Sequence, residues 1–132
     1  MSEAAQQPDR GRCEDALHKL LYSGEPVVTA MLAYRDGRSF LVKSHGHPEP
    51  GKLAAMTSAL AALSSTVLRE LAGDESDLTL IESRTGKLVL IPVPAADRLL
   101  MLAVHAEGSA NLGRLLSYAR ACAAQANAAF AA

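Results

Sequence analysis

Residues 86–120, GKLVLIPVPAADRLLMLAVHAEGSANLGRLLSYAR, carry the most informative pattern in the 132-residue chain. Leu88 to Val93 is rich in β-branched and apolar residues and predicts a strand. After a short turn, Leu99 to Ala106 is almost wholly apolar, which predicts a strand at the centre of a sheet. Ser109 or Asn111 can then cap a last helix by accepting from its first free amides. Because the link between the two strands is short, the pattern favours antiparallel pairing.

Upstream, two further strands are predicted from a hairpin pattern. Val27 to Tyr34 reads VVTAMLAY, which is typical of an interior strand buried on both faces. Asp36 and Gly37 favour a tight reversal, so Ser39 to Lys43 is predicted to return beside it. Leu78 to Glu82 alternates apolar and polar residues and predicts one more strand.

Helical periodicity predicts the remaining elements. Cys13 to Leu21 has the spacing of one helix face, and Gly24 stops the pattern. A long helix is predicted over Lys52 to Leu71, with Gly73 as its left-handed cap. The resulting order, α-β-β-α-β-β-β-α, predicts an α+β fold: a five-stranded antiparallel sheet flanked by three helices. We expect a disordered leader over residues 1–11 and a single domain over 12–132.

The long helix has too few charges for a solvent-exposed face. Its apolar residues recur at helical spacing and give one apolar stripe: Leu53, Met56, Leu60, Leu63, Val67 and Leu71. A helix that is apolar or small all round is normally buried on more than one side. Small residues occupy the other side at Ala55, Ala59, Ala62 and Thr66. Small side chains allow two helices to approach closely, so this stripe predicts pairing with a second copy about a two-fold axis. The alternative is a helix covered by a loop of its own chain.

Composition and charge exclude several classes of protein. The chain is 49% hydrophobic and 20% charged, unlike a disordered polar chain. Its net charge of −1 argues against a nucleic-acid partner, which would require a basic excess. No signal peptide is apparent, and the uninterrupted apolar stretches are shorter than the ~20 residues of a membrane span, so none is expected. Cys13 and Cys122 form no CxxC motif, and we expect reduced thiols in a cytoplasmic protein, although a pairing of the two stays open.

Motifs of catalysis are missing from the sequence. No phosphate-binding GxxxxGK[ST] or GxGxxG and no GxSxG is found, so we name no catalytic residue and no cofactor. His45 and His47 could share a metal ion, but two ligands do not make a zinc site, and we expect no metal. Arg35, Arg38 and Lys43 form a basic cluster that we interpret as a charged sheet edge. These features favour a binding or scaffolding module over an enzyme.

The chain resembles the roadblock/dynein light chain domain family over about residues 12–130. Three places carry the resemblance: the strand and Asp36-Gly37 hairpin over 27–42, the small-residue-rich helix 52–71, and the run 86–120 with Ala110-Asn111-Leu112-Gly113 opening a helix. The resemblance implies a five-stranded sheet with the second helix on one face and the first and third on the other. It also implies a homodimer in which second helices pair and third strands join, which adds Leu78 and Leu80 to the interface candidates.

In function, the resemblance implies a non-catalytic regulator or scaffold of a small Ras-like GTPase. Bacterial members of the family include regulators of a polarity and gliding-motility GTPase. A small-molecule-sensing module of similar build stays open as the alternative. Arg35 and Arg38 lie on one predicted turn, Arg84 on another and Arg98 beside a third, and they share no signature. This favours reshaping of a partner's switch loops over insertion of an arginine finger.

Overall fold

The computed structural model of the protein describes residues 9–94 and 100–131. The elements are α1 (Arg10–Leu21), β1 (Val27–Tyr34), β2 (Ser39–Ser44), α2 (Pro50–Ala72), β3 (Thr79–Glu82), β4 (Gly86–Val93), β5 (Leu100–Glu107) and α3 (Leu112–Ala131). The predicted α+β class and element order are confirmed. Residues 1–8 of the predicted leader, the predicted turn over 95–98 and residue 99 lie outside the described residues.

One sheet contains all five strands in the order β2-β1-β5-β4-β3, and every pairing is antiparallel. β5 lies at its centre and β1 beside it, as their apolar sequences predict. Among the described strands, β3 pairs only with β4, along Thr79 to Glu82. The short strand β3 is therefore one edge of the sheet.

The β1–β2 hairpin forms where Asp36 and Gly37 predict it. Gly37 has a φ of +96°, a conformation that side chains rarely tolerate. Its amide donates to the Tyr34 carbonyl at 3.0 Å, and the Tyr34 amide donates to the Arg38 carbonyl at 2.8 Å. Gly73 ends α2 in the same left-handed region, at φ +73°, which confirms the predicted cap.

Two hydrophobic clusters lie on the two faces of the sheet. The larger one joins α1 and α3 to residues such as Leu32, Leu102 and Val104. The smaller one joins Ala54 of α2 to alternate residues of the same strands, including Met31 and Ala103. Because successive strand residues point to opposite faces, this places α2 alone on one side and the other two helices on the other.

The two helices of the larger cluster begin at side-chain caps. Asp9 Oδ1 accepts from the Arg12 amide, so α1 begins at Arg10, inside the segment predicted as leader. Asn111 Oδ1 accepts from the Arg114 amide at 3.0 Å, which makes Asn111 the cap of α3.

Candidate functional site

Helix α2 contacts the sheet through small and polar residues. Ala54 and Thr57 are buried, with 0% and 2% exposure. Ser58 Oγ donates a 3.0 Å hydrogen bond to the backbone carbonyl of Tyr34 at the end of β1. Short side chains allow the helix to lie close to the strands, and the hydrogen bond fixes its position along them.

The predicted apolar stripe of α2 is divided between the sheet and the exposed surface. Leu53 and Leu60 are partly buried against the sheet. Met56 is 59% exposed and Leu63 is 62% exposed, and Val67 and Leu71 are exposed as well. The periodicity identifies which residues share a side of the helix. The side that contacts the sheet is a neighbouring one, centred on Ala54.

The small-residue stripe lies where a partner could reach it. Ala55, Ala59, Ala62 and Thr66 are all exposed and adjoin the apolar residues just described. Together they form one continuous surface that we call the exposed α2 face: Ala55, Met56, Ala59, Ala62, Leu63, Thr66, Val67 and Leu71. Contiguous exposed apolar surface is a common feature of interaction sites.

The two candidates in the third strand point away from that face. Leu78 and Leu80 are partly buried against the larger cluster, on the side of α1 and α3. Ile81 is 45% exposed and pairs with Leu88, which packs in the α2 cluster. Since directly paired residues share a face, Ile81 lies on the side of α2. Sequence reasoning missed Ile81, although the alternation of the strand could have identified it.

Helix α2 also satisfies, by length and composition alone, the requirements of a membrane span. The expectation of no such segment rests on uninterrupted apolar runs, whereas alanines keep the mean hydropathy of the whole helix high. Only 17% of its most apolar window is buried within the chain. The hydrogen bond from Ser58 and the burial of Thr57 nevertheless hold the helix on the sheet.

The histidines of the loop after β2 lie near the surface. The His45 ring meets the Tyr22 ring edge-on at 5.1 Å between centroids, and His18 packs on the same tyrosine at 4.7 Å. Within residues 9–94 and 100–131, no three histidine, cysteine or acidic side chains cluster as a metal site would require. His47 is exposed in the same loop.

The predicted basic cluster is divided among different contacts. Arg38 Nε lies 2.8 Å from Asp36 Oδ2, and its guanidinium stacks 4.5 Å from the centroid of Tyr34. This ionic hydrogen bond holds the pKa of Asp36 below its usual range. Lys43 pairs with Glu14 of α1 at 3.7 Å. Arg35 instead lines a cavity between α2 and the sheet.

That cavity has a volume of about 220 Å³ and lies beside the exposed α2 face. The residues of α2 that line it are Ser58, Ala61, Ala62, Ser65, Thr66 and Arg69. Pro92 and Met101, a directly paired couple of β4 and β5, lie opposite them. No motif in the sequence indicates this cavity, because its residues come from several separate segments.

Cys13 of α1 and Cys122 of α3 are free and buried in the same cluster. Burial raises the pKa of the Cys122 thiol to about 12, and it also raises the pKa of Cys13. Thiols of this kind are poor nucleophiles, because the reactive thiolate is disfavoured.

The sequence matches no protein-family model and no curated protein. Solved structures, however, share its fold. A gliding protein MglB from Thermus thermophilus is 20% identical over 92% of this chain and 91% of that chain, with a TM-score of 0.80. An MglB with a tetrameric arrangement is 18% identical over 90% of this chain and 88% of that chain, also at 0.80.

A Roadblock/LC7 domain from Streptomyces avermitilis matches at a TM-score of 0.74 and 18% identity, over 83% of this chain and 89% of that chain. A profilin from Schizosaccharomyces pombe matches less well, at 0.59 and 12%, over 82% and 90%. The three helices and the five-stranded antiparallel sheet of this chain are consistent with the fold of the stronger group of matches. The chain therefore has the roadblock fold, that of MglB and Roadblock/LC7 domains.

Proposed function

We propose that this chain is a non-catalytic regulator or scaffold of a small Ras-like GTPase and that it acts as a cytoplasmic homodimer. The observation that carries the proposal is the exposed α2 face, an apolar surface on a fold shared with MglB structures. Two such faces, related by a two-fold axis, would cover Met56, Leu63 and Val67 and remove their apolar area from water.

The free edge of β3 supports the same arrangement. Its unpaired backbone groups would be satisfied by the β3 strand of a second copy, and Ile81 adjoins the α2 side of the sheet. A lipid surface is a less suitable cover for α2, because the small residues of the face suit a close helix contact. The tetrameric arrangement described for one MglB structure is consistent with self-association.

In this proposal the protein acts by holding or reshaping the switch loops of its partner. Arg38 is engaged by Asp36 and Tyr34 in the hairpin, and Arg84 is exposed on the β3–β4 turn. Arg38 is therefore already engaged within its own hairpin, and both arginines need to be tested by substitution, because a finger can be inserted from an exposed turn.

The test is a binding and single-turnover assay with small Ras-like GTPases from the same genome, starting with any encoded beside this gene. We expect binding that differs between the GDP-bound and GTP-bound partner, with or without altered hydrolysis. Substitution of Arg35, Arg38 or Arg84 by Ala should change the hydrolysis rate only modestly. A loss above about a hundredfold from one substitution, with binding intact, would identify an arginine finger. Absence of binding to every such GTPase would refute the proposal.

A further inference from the structure

The two cysteines of the chain lie on different helices of the same hydrophobic cluster. Cys13 belongs to α1 and Cys122 to α3, and both are buried free thiols. The cluster lies across the sheet from α2, so the thiols are remote from the exposed α2 face. Their placement relative to each other is set by the way in which α1 packs on α3.

Two hydrogen bonds fix the register of α1 against α3. The Asp9 amide, at the start of α1, donates to the Ala129 carbonyl at 3.1 Å. Beyond the other end of α1, Glu25 Oε1 accepts from the Asn111 amide at 2.7 Å. The start of each helix therefore lies beside the end of the other, and the two helices run antiparallel.

This register brings the two cysteines to nearly the same level. Cys13 follows Asp9 by four residues, and Cys122 precedes Ala129 by seven, a difference of three residues. At about 1.5 Å per residue, the cysteines are offset along the helix axis by about 4.5 Å. Counted from Glu25 and Asn111, the difference is a single residue.

Small residues allow the two helices to approach closely. Ala16 of α1 and Ala119 and Ala126 of α3 are buried in the same cluster. Helix axes with such contacts can lie about 8 Å apart, which leaves about 3.4 Å between facing Cα atoms. With the axial offset, the Cα separation of the cysteines is about 5.6 Å, inside the range of roughly 4.4–6.8 Å that a disulfide spans.

The ionisation of the thiols agrees with this proximity. Burial is the main cause of the raised pKa of Cys122, and the charge of a Cys13 thiolate adds to the rise. Such an effect requires the two sulfur atoms to be neighbours within the cluster.

We propose that Cys13 and Cys122 form a reversible disulfide that fastens α1 to α3 when the protein meets an oxidant of the disulfide class, such as glutathione disulfide. The Cys13 thiolate attacks one glutathione sulfur and releases the other glutathione as a thiolate. The Cys122 thiolate then attacks Cys13 Sγ and releases the second glutathione. The protein thiols lose two electrons and two protons, and glutathione disulfide becomes two glutathione thiols.

Burial determines how this exchange starts. Cys13 lies in the first turn of α1, so local opening of that turn exposes its sulfur while Cys122 stays within the cluster. Exchange is therefore slow in the folded protein, and the bridge, once closed, is shielded from reductants. This inference goes beyond the proposed GTPase regulation and does not depend on it.

The experiment measures the equilibrium of the full chain with glutathione, folded in buffer and unfolded in urea. Each equilibrium is approached from the reduced chain and from the oxidised chain, quenched with acid, and read by intact mass as the loss of two hydrogens. We expect the effective concentration of the thiol pair to be at least about a hundredfold higher in the folded chain, because a bridge across so long a loop restricts the unfolded chain.

A matched variant tests the register. Cys122→Ala combined with Ala119→Cys moves the thiol three residues along α3 but keeps it in the cluster, and the axial offset grows to about 9 Å. Its effective concentration in the folded state should fall at least about tenfold, because the Cα atoms then lie outside the range of a disulfide. The single variants Cys13→Ala and Cys122→Ala should form only mixed disulfides with glutathione.

Three results would overturn the proposal. The first is an effective concentration in the folded chain equal to or below that in urea. The second is an oxidised chain that does not refold, which would show that the fold excludes the bridge. The third is a product that consists only of glutathione adducts or of covalently linked chains.

Discussion

The Nζ atom of Lys87 donates a 2.7 Å hydrogen bond to the backbone carbonyl of Gly108. Lys87 lies on β4 with only 9% of its side chain exposed, and it is 3.5 Å from Glu82 across the strand pair. The bond joins β4 to the residues that follow β5. The same junction brings the carbonyl of Arg84 so close to Gly108 that a Cβ at this position would collide with it.

We expect Gly108→Ala to destabilise the protein by about 1–3 kcal/mol, because the backbone of the β3–β4 turn must shift to admit a methyl group. Urea unfolding measures the effect. The matched control is Gly51→Ala in α2, where nothing lies within 4 Å of the added methyl. That variant should be stabilising by about 0.4–1 kcal/mol, since it restricts the unfolded chain. Equal effects of the two substitutions would contradict the close contact at Gly108.

A second prediction concerns the carboxylate of Glu25, which accepts from the Asn111 amide at 2.7 Å and from Arg114 Nε at 2.8 Å. These hydrogen bonds hold the pKa of Glu25 below its ordinary value of 4.5. A lowered pKa in the folded state stabilises the fold above that ordinary value, and the contribution is lost as the pH falls through the lowered pKa.

Glu25→Gln should therefore reduce the free energy of unfolding at pH 7, and the difference from the unchanged protein should shrink below about pH 4.5. Asp36→Asn is a comparison rather than a negative control, because the lowered pKa of Asp36 predicts a similar pH dependence from an ion pair that lies within one hairpin. A difference between the Glu25 variant and the parent that is independent of pH would show that the ionised carboxylate is not responsible.

Association through the exposed α2 face is tested by Leu63→Glu. Leu63 is 62% exposed in the single chain, so the fold should tolerate the change. A buried charge in a two-fold interface should weaken association by roughly thirtyfold or more, the effect of about 2 kcal/mol at an interface hot spot. Light scattering should give twice the 13.9 kDa protomer mass for the parent and the protomer mass for the variant at micromolar concentration.

Tyr118→Glu is the control for that experiment, because it places the same charge at an exposed residue of α3 on the opposite side of the sheet. It should leave the mass unchanged. A monomeric parent, or a Leu63→Glu variant that keeps the parent's mass, would exclude the exposed α2 face as the interface.

Substitutions at two neighbouring residues of β3 should distinguish an effect on folding from an effect on association. Leu80→Ala removes a side chain partly buried in the chain's own cluster and should lower the free energy of unfolding by about 1–2 kcal/mol. Ile81→Ala changes an exposed side chain on the α2 side and should weaken association with little effect on the protomer. Sedimentation at several concentrations, combined with urea unfolding of the dilute protein, distinguishes the two. If Leu80→Ala weakened association and Ile81→Ala lowered the free energy of unfolding instead, the assigned orientation of the β3 side chains would be wrong.

The buried thiols give a prediction on the alkaline side. Cys122 has a pKa raised by burial to about 12, against 9.0 for an ordinary thiol, so unfolding releases a proton once the pH exceeds about 9. Stability should fall as the pH rises above that value, and Cys122→Ala should reduce this dependence. Iodoacetamide should modify the native protein only as it unfolds, and fast labelling of folded protein at pH 8 would contradict the burial.

Much of the fold follows from local sequence. VVTAMLAY predicts an interior strand because no charged residue interrupts its apolar run. Gly37 and Gly73 occupy the left-handed positions that a hairpin turn and a helix end require. The facing of α2 could not be predicted in this way. Ala54 and Thr57 pack on the sheet, whereas Leu63 is exposed. Helical spacing shows which residues share a side of the helix, but it does not show which element that side contacts.

The sites depend on contacts between distant segments. Glu25 and Asn111 are separated by 86 positions, and no local pattern marks an acid in a loop as the partner of a remote helix start. The cavity likewise requires α2 and the ends of β1, β4 and β5 to be placed before Arg35 and Arg69 can share it. Sequence patterns give the elements, and only the packed chain gives these juxtapositions.

The brevity of β3 bears on how far assembly can grow. An exposed strand edge can recruit further chains without limit and lead to fibres, but this edge offers only the four residues Thr79 to Glu82. So few backbone groups would form only a weak interface unless α2 also buried surface in the contact. A pair joined about a two-fold axis would consume both β3 edges at once, so growth through this edge would terminate at two copies.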